Sequence, residues 1–189
     1  MVLLLLLSSC GSGPGSEADL ESYLRARALY IQGDLPGARR ILEAPGRGIR
    51  HLAYGRLLLG KTLFFQSGPA AAAEELAVLV EENPHHVDAA KWLARSYLEL
   101  SDPERAQRTL TAALEVSSED PELLILMGRS AREVGNTTRA IEYLTKATSF
   151  AFRLAAGHLE LAEIYRAAGM AEEAARHAQR AEALLGEAR

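Results

Sequence analysis

Residues 87–120 read VDAAKWLARSYLELSDPERAQRTLTAALEVSSED, and this stretch decides the fold because its pattern recurs without gaps every 34 residues. Similar copies begin at positions 19, 53, 121 and 155. The twentieth position of every copy is alanine: Ala38, Ala72, Ala106, Ala140 and Ala174. The eighth position is always small: Ala26, Gly60, Ala94, Gly128 and Ala162. A gapless internal repeat of this length predicts an array of similar supersecondary units. A generic alanine-rich helical bundle is the alternative, and it leaves the two columns of small residues unexplained.

Each copy shows helical periodicity twice, with turn-forming residues near its fifteenth to seventeenth positions. These turns are Gly33-Asp34-Leu35, Ser67-Gly68-Pro69, Ser101-Asp102-Pro103, Gly135-Asn136-Thr137 and Gly169-Met170-Ala171. Every copy is therefore predicted to form two antiparallel helices. The small residues at positions eight and twenty mark the point where the two backbones approach most closely. Pro84 and Pro121 are expected to separate helices at the junctions between copies.

This pattern resembles the tetratricopeptide repeat family, in its 34-residue period, its small residue at position eight and its alanine at position twenty. Tyr97 and Tyr165 at position eleven and Pro84 at position thirty-two strengthen the resemblance. It implies an all-α fold, a right-handed α-solenoid of about five helix-turn-helix repeats over residues 19–188. The predicted repeats are 19–52, 53–86, 87–120, 121–154 and 155–188. The first repeat departs most from the family, because Pro45 and the glycines after it shorten its second helix.

The composition argues against several functional classes. The 21 basic and 25 acidic residues are interspersed, the net charge is −4 and no basic block occurs, so we expect no nucleic-acid partner. One cysteine excludes an intramolecular disulfide and a cysteine-rich metal site. The adjacent His85 and His86 do not converge on one ion, so we expect no metal and no cofactor. No nucleophile elbow, phosphate loop or dinucleotide fingerprint occurs, and we therefore expect no enzyme.

The first residues have a different character. Met1 to Leu7 is almost entirely leucine, which is typical of the apolar region of a secretory signal. The following Leu7-Ser8-Ser9-Cys10 resembles the lipobox of bacterial lipoproteins. That resemblance implies a signal peptide over 1–9, acylation of Cys10 with palmitate-type chains, and a flexible tether over 10–18. The expected location is the bacterial cell envelope, lipid-anchored, in the outer membrane facing the periplasm if the cell is Gram-negative. The alternative is an incidental thiol in a disordered leader.

In the tetratricopeptide family the first helix of each repeat lines a concave surface, and the resemblance implies which columns do so here. The N-terminal part of this surface is aromatic and aliphatic, comprising Tyr23, Tyr30, Tyr54, Leu57, Phe64 and Phe65. Its middle is basic, comprising Lys61, Lys91, Arg95, Arg129 and Arg132. An apolar patch beside cations is typical of a peptide-binding surface for partners with acidic segments. The alternative is a solvated face, in which Arg95 and Arg129 pair with the glutamates four residues later, Glu99 and Glu133.

These expectations together predict a non-catalytic, membrane-anchored scaffold. It would hold partner proteins or peptides in its concave groove during assembly of the cell envelope, a pilus or a secretion system. The alternative function is a structural stator, or an adaptor for cell-wall enzymes, that binds through the convex face or the C-terminal edge.

Overall fold

Nine α-helices account for most of the chain in the computed structural model, which describes residues 15–45 and 48–186. In chain order they are α1 Glu17–Ile31, α2 Leu35–Leu42, α3 Ala53–Gln66, α4 Pro69–Glu82, α5 Val87–Glu99, α6 Pro103–Val116, α7 Pro121–Glu133, α8 Thr137–Ala167 and α9 Ala171–Gly186. A 3₁₀ turn, Gly48–His51, precedes α3. These ranges contain no strand, as the repeat pattern predicts. The expected signal peptide and Cys10 lie outside the described residues.

The five predicted turns all connect helices, and a left-handed backbone recurs in them. Gly33, Gly68, Gly135 and Gly169 have φ between 76° and 93°, a region that glycine enters without steric cost. In the third turn Ser101 takes this position with φ 58°. The next residue in three of these turns caps the following helix. Asp34, Asp102 and Asn136 each accept a hydrogen bond from the backbone N–H three residues later.

The two columns of small residues are buried, which confirms the reason inferred for their size. All five alanines at position twenty are at most 4% exposed. At position eight, a Cβ on Gly60 would lie 2.5 Å from Cδ2 of Leu76, and one on Gly128 would lie 2.7 Å from Cγ of Leu144. Separations this short mean that Leu76 or Leu144 would have to move before a side chain could fit. The paired helices therefore pack with the close backbone approach that the repeat requires.

The chain divides into two compact units, of which the first extends to Asn83 and contains α1 to α4. Its N-terminal helix starts at Glu17, two residues inside the predicted tether. The reason is that Ser16 and Asp19 form a capping box. Asp19 also accepts a hydrogen bond from the backbone N–H of Gly48, 3.0 Å away. The second helix of the first repeat is short, as predicted: α2 has eight residues and ends before Pro45.

The second unit begins at Pro84 and contains α5 to α9. Its hydrophobic core joins α5, α6 and α7 through residues that include Ala94, Leu110, Leu123 and Met127. Helices α5 and α7 begin at the first positions of the third and fourth repeats. Asp120 caps α7 by accepting hydrogen bonds from the N–H groups of Glu122 and Leu123. Pro121 then occupies the first helical position, where a missing N–H costs nothing.

The last junction differs from the prediction. The boundary expected between residues 154 and 155 falls inside α8, which runs for 31 residues without a break. The physical reason is local: residues 150–156 contain no proline, no glycine and no residue that commonly caps a helix. The second helix of the fourth repeat and the first helix of the fifth are therefore one continuous helix. The fifth hairpin consists of the C-terminal half of α8 packed against α9.

Candidate functional site

An open pocket of about 260 Å³ lies between α1 and α3 in the first unit. It is lined by Tyr23, Arg27, Tyr30, Ile31, Tyr54, Leu57, Leu58 and Lys61. Five of the predicted groove residues thus come together in one place, namely Tyr23, Tyr30, Tyr54, Leu57 and Lys61. The repeat explains this arrangement. Tyr23 and Leu57 both occupy position five, and Tyr30 and Lys61 lie further along the same helical faces.

The pocket has an aromatic wall whose geometry is fixed by contacts between its own residues. The rings of Tyr23 and Tyr54 meet edge to face with centroids 4.5 Å apart. Burial raises the pKa of the Tyr30 phenol above its ordinary value of 10.0, so Tyr30 is neutral at physiological pH. Neutral phenols offer hydrogen bonds beside apolar ring faces. This wall can therefore accept both apolar side chains and peptide groups.

Two cationic residues, Arg27 and Lys61, also line the pocket. They occupy position nine of the first and second repeats, where Arg95 and Arg129 stand in the third and fourth. Arg27 is exposed, and Lys61 is partly buried. A ligand seated on the tyrosines would have its own polar groups near these cations. The pocket therefore places two cationic groups beside apolar ring faces.

Phe64 and Phe65 follow on the same helix but are not among the residues that line the pocket. Their rings contact each other edge to face with centroids 5.4 Å apart. Phe64 is partly buried, whereas Phe65 is exposed. The two phenylalanines extend the apolar surface of α3 beyond the pocket.

The predicted basic residues of the second unit lie on α5 and α7, and three of them are in ion pairs. Lys91 contacts Asp120 at 2.6 Å (Nζ to Oδ2) and Glu122 at 3.3 Å (Nζ to Oε2). Arg95 also pairs with Glu122. Burial lowers the pKa of Lys91, but the hydrogen bond and charge of Asp120, followed by Glu122, outweigh it and hold the pKa above 10.5. Lys91 is therefore a buried structural cation.

Arg129 is also paired, across two repeats. Its guanidinium lies 3.2 Å from the carboxylate of Glu99 and 3.4 Å from that of Glu133. The alternative of local pairing thus holds for Arg129 with Glu133. Arg95 instead pairs with a glutamate of the next repeat. Arg132 is exposed in the last turn of α7. The basic stripe of the second unit is largely balanced by its own acidic residues.

A histidine pair in the fifth hairpin was not predicted from the sequence. Nδ1 of His158 on α8 lies 2.9 Å from Nδ1 of His177 on α9, and the ring of Tyr165 stacks on His177 with centroids 5.3 Å apart. Burial, then the charges of His158, Arg180 and Arg176, lower the pKa of His177 below 6.5. The sequence could have indicated this pair through the predicted hairpin, because two residues 19 apart on either side of a tight turn can face each other.

Metal-binding clusters and membrane-spanning helices are both absent from the part of the chain that the structure describes. Within residues 15–45 and 48–186, no group of three or more histidine, cysteine, aspartate or glutamate side chains could hold a metal ion. No helix in these ranges is both long enough and apolar enough to cross a bilayer.

Comparisons with known proteins bear on the repeats and on the fold. Two family models described as tetratricopeptide repeat match the chain, at residues 66–130 and 121–152. The chain therefore contains tetratricopeptide repeats, as the resemblance implies. A search of curated proteins found no match.

Solved structures give the same answer for the fold. A MamA structure from Desulfovibrio magneticus RS-1 is 16% identical, with TM-score 0.67 over 91% of this chain and 97% of its own. Another MamA structure is 20% identical, with TM-score 0.66 over 89% and 92%. A thermophilic TPR protein of Thermus thermophilus is 19% identical, with TM-score 0.60 over 88% and 91%. These likenesses confirm the predicted class, an all-α solenoid of helix-turn-helix repeats.

Proposed function

We propose that this protein is a non-catalytic protein-binding scaffold that holds a segment of a partner protein in the pocket between α1 and α3. The observation that carries the proposal is the aromatic wall of Tyr23, Tyr30 and Tyr54 with Arg27 and Lys61 beside it. Large amphipathic rings supply contact area at low entropic cost, which is why tyrosine and arginine are common where proteins bind each other.

The pocket carries the recognition in this proposal, and the basic stripe of the second unit has a smaller role than the sequence suggests. A ligand carboxylate approaching Lys91 or Arg95 would compete with Asp120 and Glu122, which already lie against these cations. An acidic residue of the partner gains more near Arg27, which is exposed. The expected ligand is therefore a short segment with apolar side chains and at least one carboxylate.

Tethering to a membrane is the second part of the proposal. It rests on the lipobox-like Leu7-Ser8-Ser9-Cys10, which lies outside the described residues. Two or three acyl chains on Cys10 would anchor the protein stably, because each buried methylene contributes about 0.8 kcal/mol. In this setting the scaffold would hold its partner at the bacterial cell envelope, during assembly of the envelope, a pilus or a secretion system.

Photo-cross-linking in native membranes tests the pocket. A photoreactive p-benzoylphenylalanine replaces Leu57 in the pocket or, as the matched control, Ile125, which occupies position five of the fourth repeat and is exposed. The expected result is one discrete adduct from position 57, which Lys61→Glu weakens and Arg129→Glu, at the same repeat position, leaves unchanged. Equal adducts to the same partner protein from positions 57 and 125 would rule out the pocket as the binding site, whereas an adduct between two copies of this chain does not enter the comparison.

Membrane fractionation of wild type and Cys10→Ser tests the tether. We expect the wild type in the membrane fraction and the variant released from it. An unchanged distribution would contradict acylation of Cys10 without bearing on the pocket.

A further inference from the structure

Two repeat positions that hold buried apolar residues in earlier copies are exposed at the last junction. Leu144, at position twenty-four, is 37% exposed, whereas the leucines at the same position of the first three repeats are at most 1% exposed. Leu161, at position seven, is 39% exposed, whereas Leu59, Leu93 and Met127 at the same position are at most 9% exposed. The two columns that form the contact between neighbouring repeats are therefore both open at the last junction.

The equivalent contact is complete one repeat earlier. Leu110 and Met127 occupy the same two positions, twenty-four and seven, and both belong to the hydrophobic cluster of α5, α6 and α7. By this correspondence Leu144 is suited to pack against Leu161. The pair of Lys91 and Asp120 at positions five and thirty-four is replaced by Ile125 and Leu154, which are both exposed and both apolar. The open surface thus has the composition of a repeat interface.

The two halves of this interface cannot meet within one molecule while α8 is straight. Leu144 and Leu161 are 17 residues apart on the same helix, which separates them by about 25 Å along its axis. Breaking α8 would bring them together, but residues 150–156 provide no capping side chain for the freed backbone groups, and the hydroxyl of the flanking Ser149 already donates to the Lys146 carbonyl inside the helix. A second copy covers both halves without breaking the helix.

We propose that two copies of the chain form a symmetric dimer by exchanging their fifth hairpins, residues 155–186. Leu161 of each copy packs against Leu144 of the other, in the way that Met127 packs with Leu110 inside one chain. The middle of α8 stays helical and connects each exchanged hairpin to the rest of its own chain. A two-fold exchange of this kind makes the same contact twice, and it is a low-cost route to a dimer because it reuses contacts already encoded in the repeat.

The test uses the full chain with Cys10→Ser, which removes its only cysteine. Into this background Leu144→Cys and Leu161→Cys are introduced together, and a short bis-maleimide cross-linker is added. Because one straight α8 keeps the two thiols about 25 Å apart, a cross-link can form only between copies. Light scattering after size-exclusion chromatography gives the mass before cross-linking. The expected result is a dimer with cross-links between positions 144 and 161 of different chains, identified by mass spectrometry.

Two controls define the other outcomes. Each single-cysteine variant alone should give no cross-linked dimer, and a mixture of the two after joint refolding should give one. The pair Leu110→Cys and Met127→Cys should cross-link within one chain. A monomer at all concentrations, a 144–161 cross-link within one chain, or no 144–161 cross-link would overturn the proposal. The second of these outcomes would mean that α8 breaks and the hairpin folds back.

A further variant copies the third junction into the fourth. Leu154→Asp with Ala155→Pro reproduces Asp120-Pro121, which caps and starts α7. It should break α8, convert the dimer to a monomer and move the 144–161 cross-link from between chains to within one chain. If this variant fails to fold, the cross-links in the unbroken background still decide the question.

Discussion

The third and fourth junctions of the repeat array show what the repeat period specifies and what it leaves to local residues. At the third junction, Asp120 and Pro121 end one repeat and start the next, and Leu110 and Met127 are buried. At the fourth, residues 154 and 155 are leucine and alanine, α8 continues, and the equivalent side chains are more than one-third exposed. The columns of the repeat determine which residues can pack. Breaker and capping residues determine whether neighbouring repeats stack within the chain.

The largest expected effect comes from shortening the leucine at position twenty-four, once in the third repeat and once in the fourth. Leu110→Ala should cost about 2–5 kcal/mol in the free energy of unfolding, because the side chain is fully buried and leaves a cavity. Leu144→Ala should cost less than half as much in the monomer, since water already reaches the side chain. Urea denaturation at low protein concentration measures both. Equal losses would mean that the fourth junction is packed like the third in solution.

The turns and the buried columns could be predicted from the sequence because they follow from residues within a single repeat. Gly135 and Asn136, for example, specify a left-handed turn and a helix cap without reference to the rest of the fold. The continuous α8 was not predicted because the 34-residue period places a repeat boundary between residues 154 and 155. The absence of a proline and of a capping residue from 150–156 already indicated a continuous helix.

The candidate site was predicted in part for a related reason. Column positions place Tyr23, Tyr30 and Tyr54 on one surface, and these three residues line one pocket in the structure. Ion pairing is decided largely between separate helices, at separations such as 29 residues for Lys91 with Asp120 and 27 residues for Arg95 with Glu122. Pairing within one helix is readable from the sequence, as Arg129 with Glu133 shows, but the partners that Lys91 and Arg95 find outside their own helix are not.

Adding a methyl group at position eight is expected to give the next largest effect. Gly60→Ala should destabilise the protein by about 1–3 kcal/mol, because the new Cβ meets Leu76, which is fully buried and cannot move away. Gly128→Ala meets Leu144 instead, which has solvent on one side. There the better helix propensity of alanine, about 1 kcal/mol, should offset the contact. Thermal unfolding followed by circular dichroism compares the pair, and a larger loss for Gly128→Ala would contradict the open fourth junction.

Removing a helix cap should have a smaller effect, and two caps in the second unit form a matched pair. Asp102→Ala and Asp120→Ala each remove a cap, which costs about 0.5–2 kcal/mol. Asp120→Ala should cost about 1 kcal/mol more, because it also deprives the buried Lys91 of a partner. Urea denaturation of both variants at neutral pH gives the difference.

The same cap has a pH dependence of known sign. Burial raises the pKa of Asp120, but hydrogen bonds from Lys91 and from the backbone of Leu123 outweigh it and hold the pKa below 3.8. Its contribution is therefore present above about pH 3.8 and lost as the pH falls through the lowered value. The stability gap between wild type and Asp120→Ala should close at low pH. A gap that persists in acid would assign it to packing instead of charge.

The smallest expected effect is a loss of stability in mild acid that is confined to the fifth hairpin and does not reach the rest of the second unit. The pKa of His177 lies below its ordinary value of 6.5 because of burial and the nearby His158, Arg180 and Arg176. The unfolded chain consequently takes up this proton at a higher pH than the folded one. The contribution of the neutral ring is complete above pH 6.5 and falls as the pH decreases toward the lowered value.

Hydrogen exchange measures this response segment by segment. Amides of α9 should lose protection between neutral pH and pH 5, after correction for the intrinsic rate, whereas those of α6 should not. His158→Gln removes one of the repelling charges and should raise the pKa of His177, as followed by its ring resonances in NMR. Because α8 is the helix on which α9 packs closely in the described part of the chain, a loss of protection that spread equally to α6 would show that the fifth hairpin and the core of the unit unfold together.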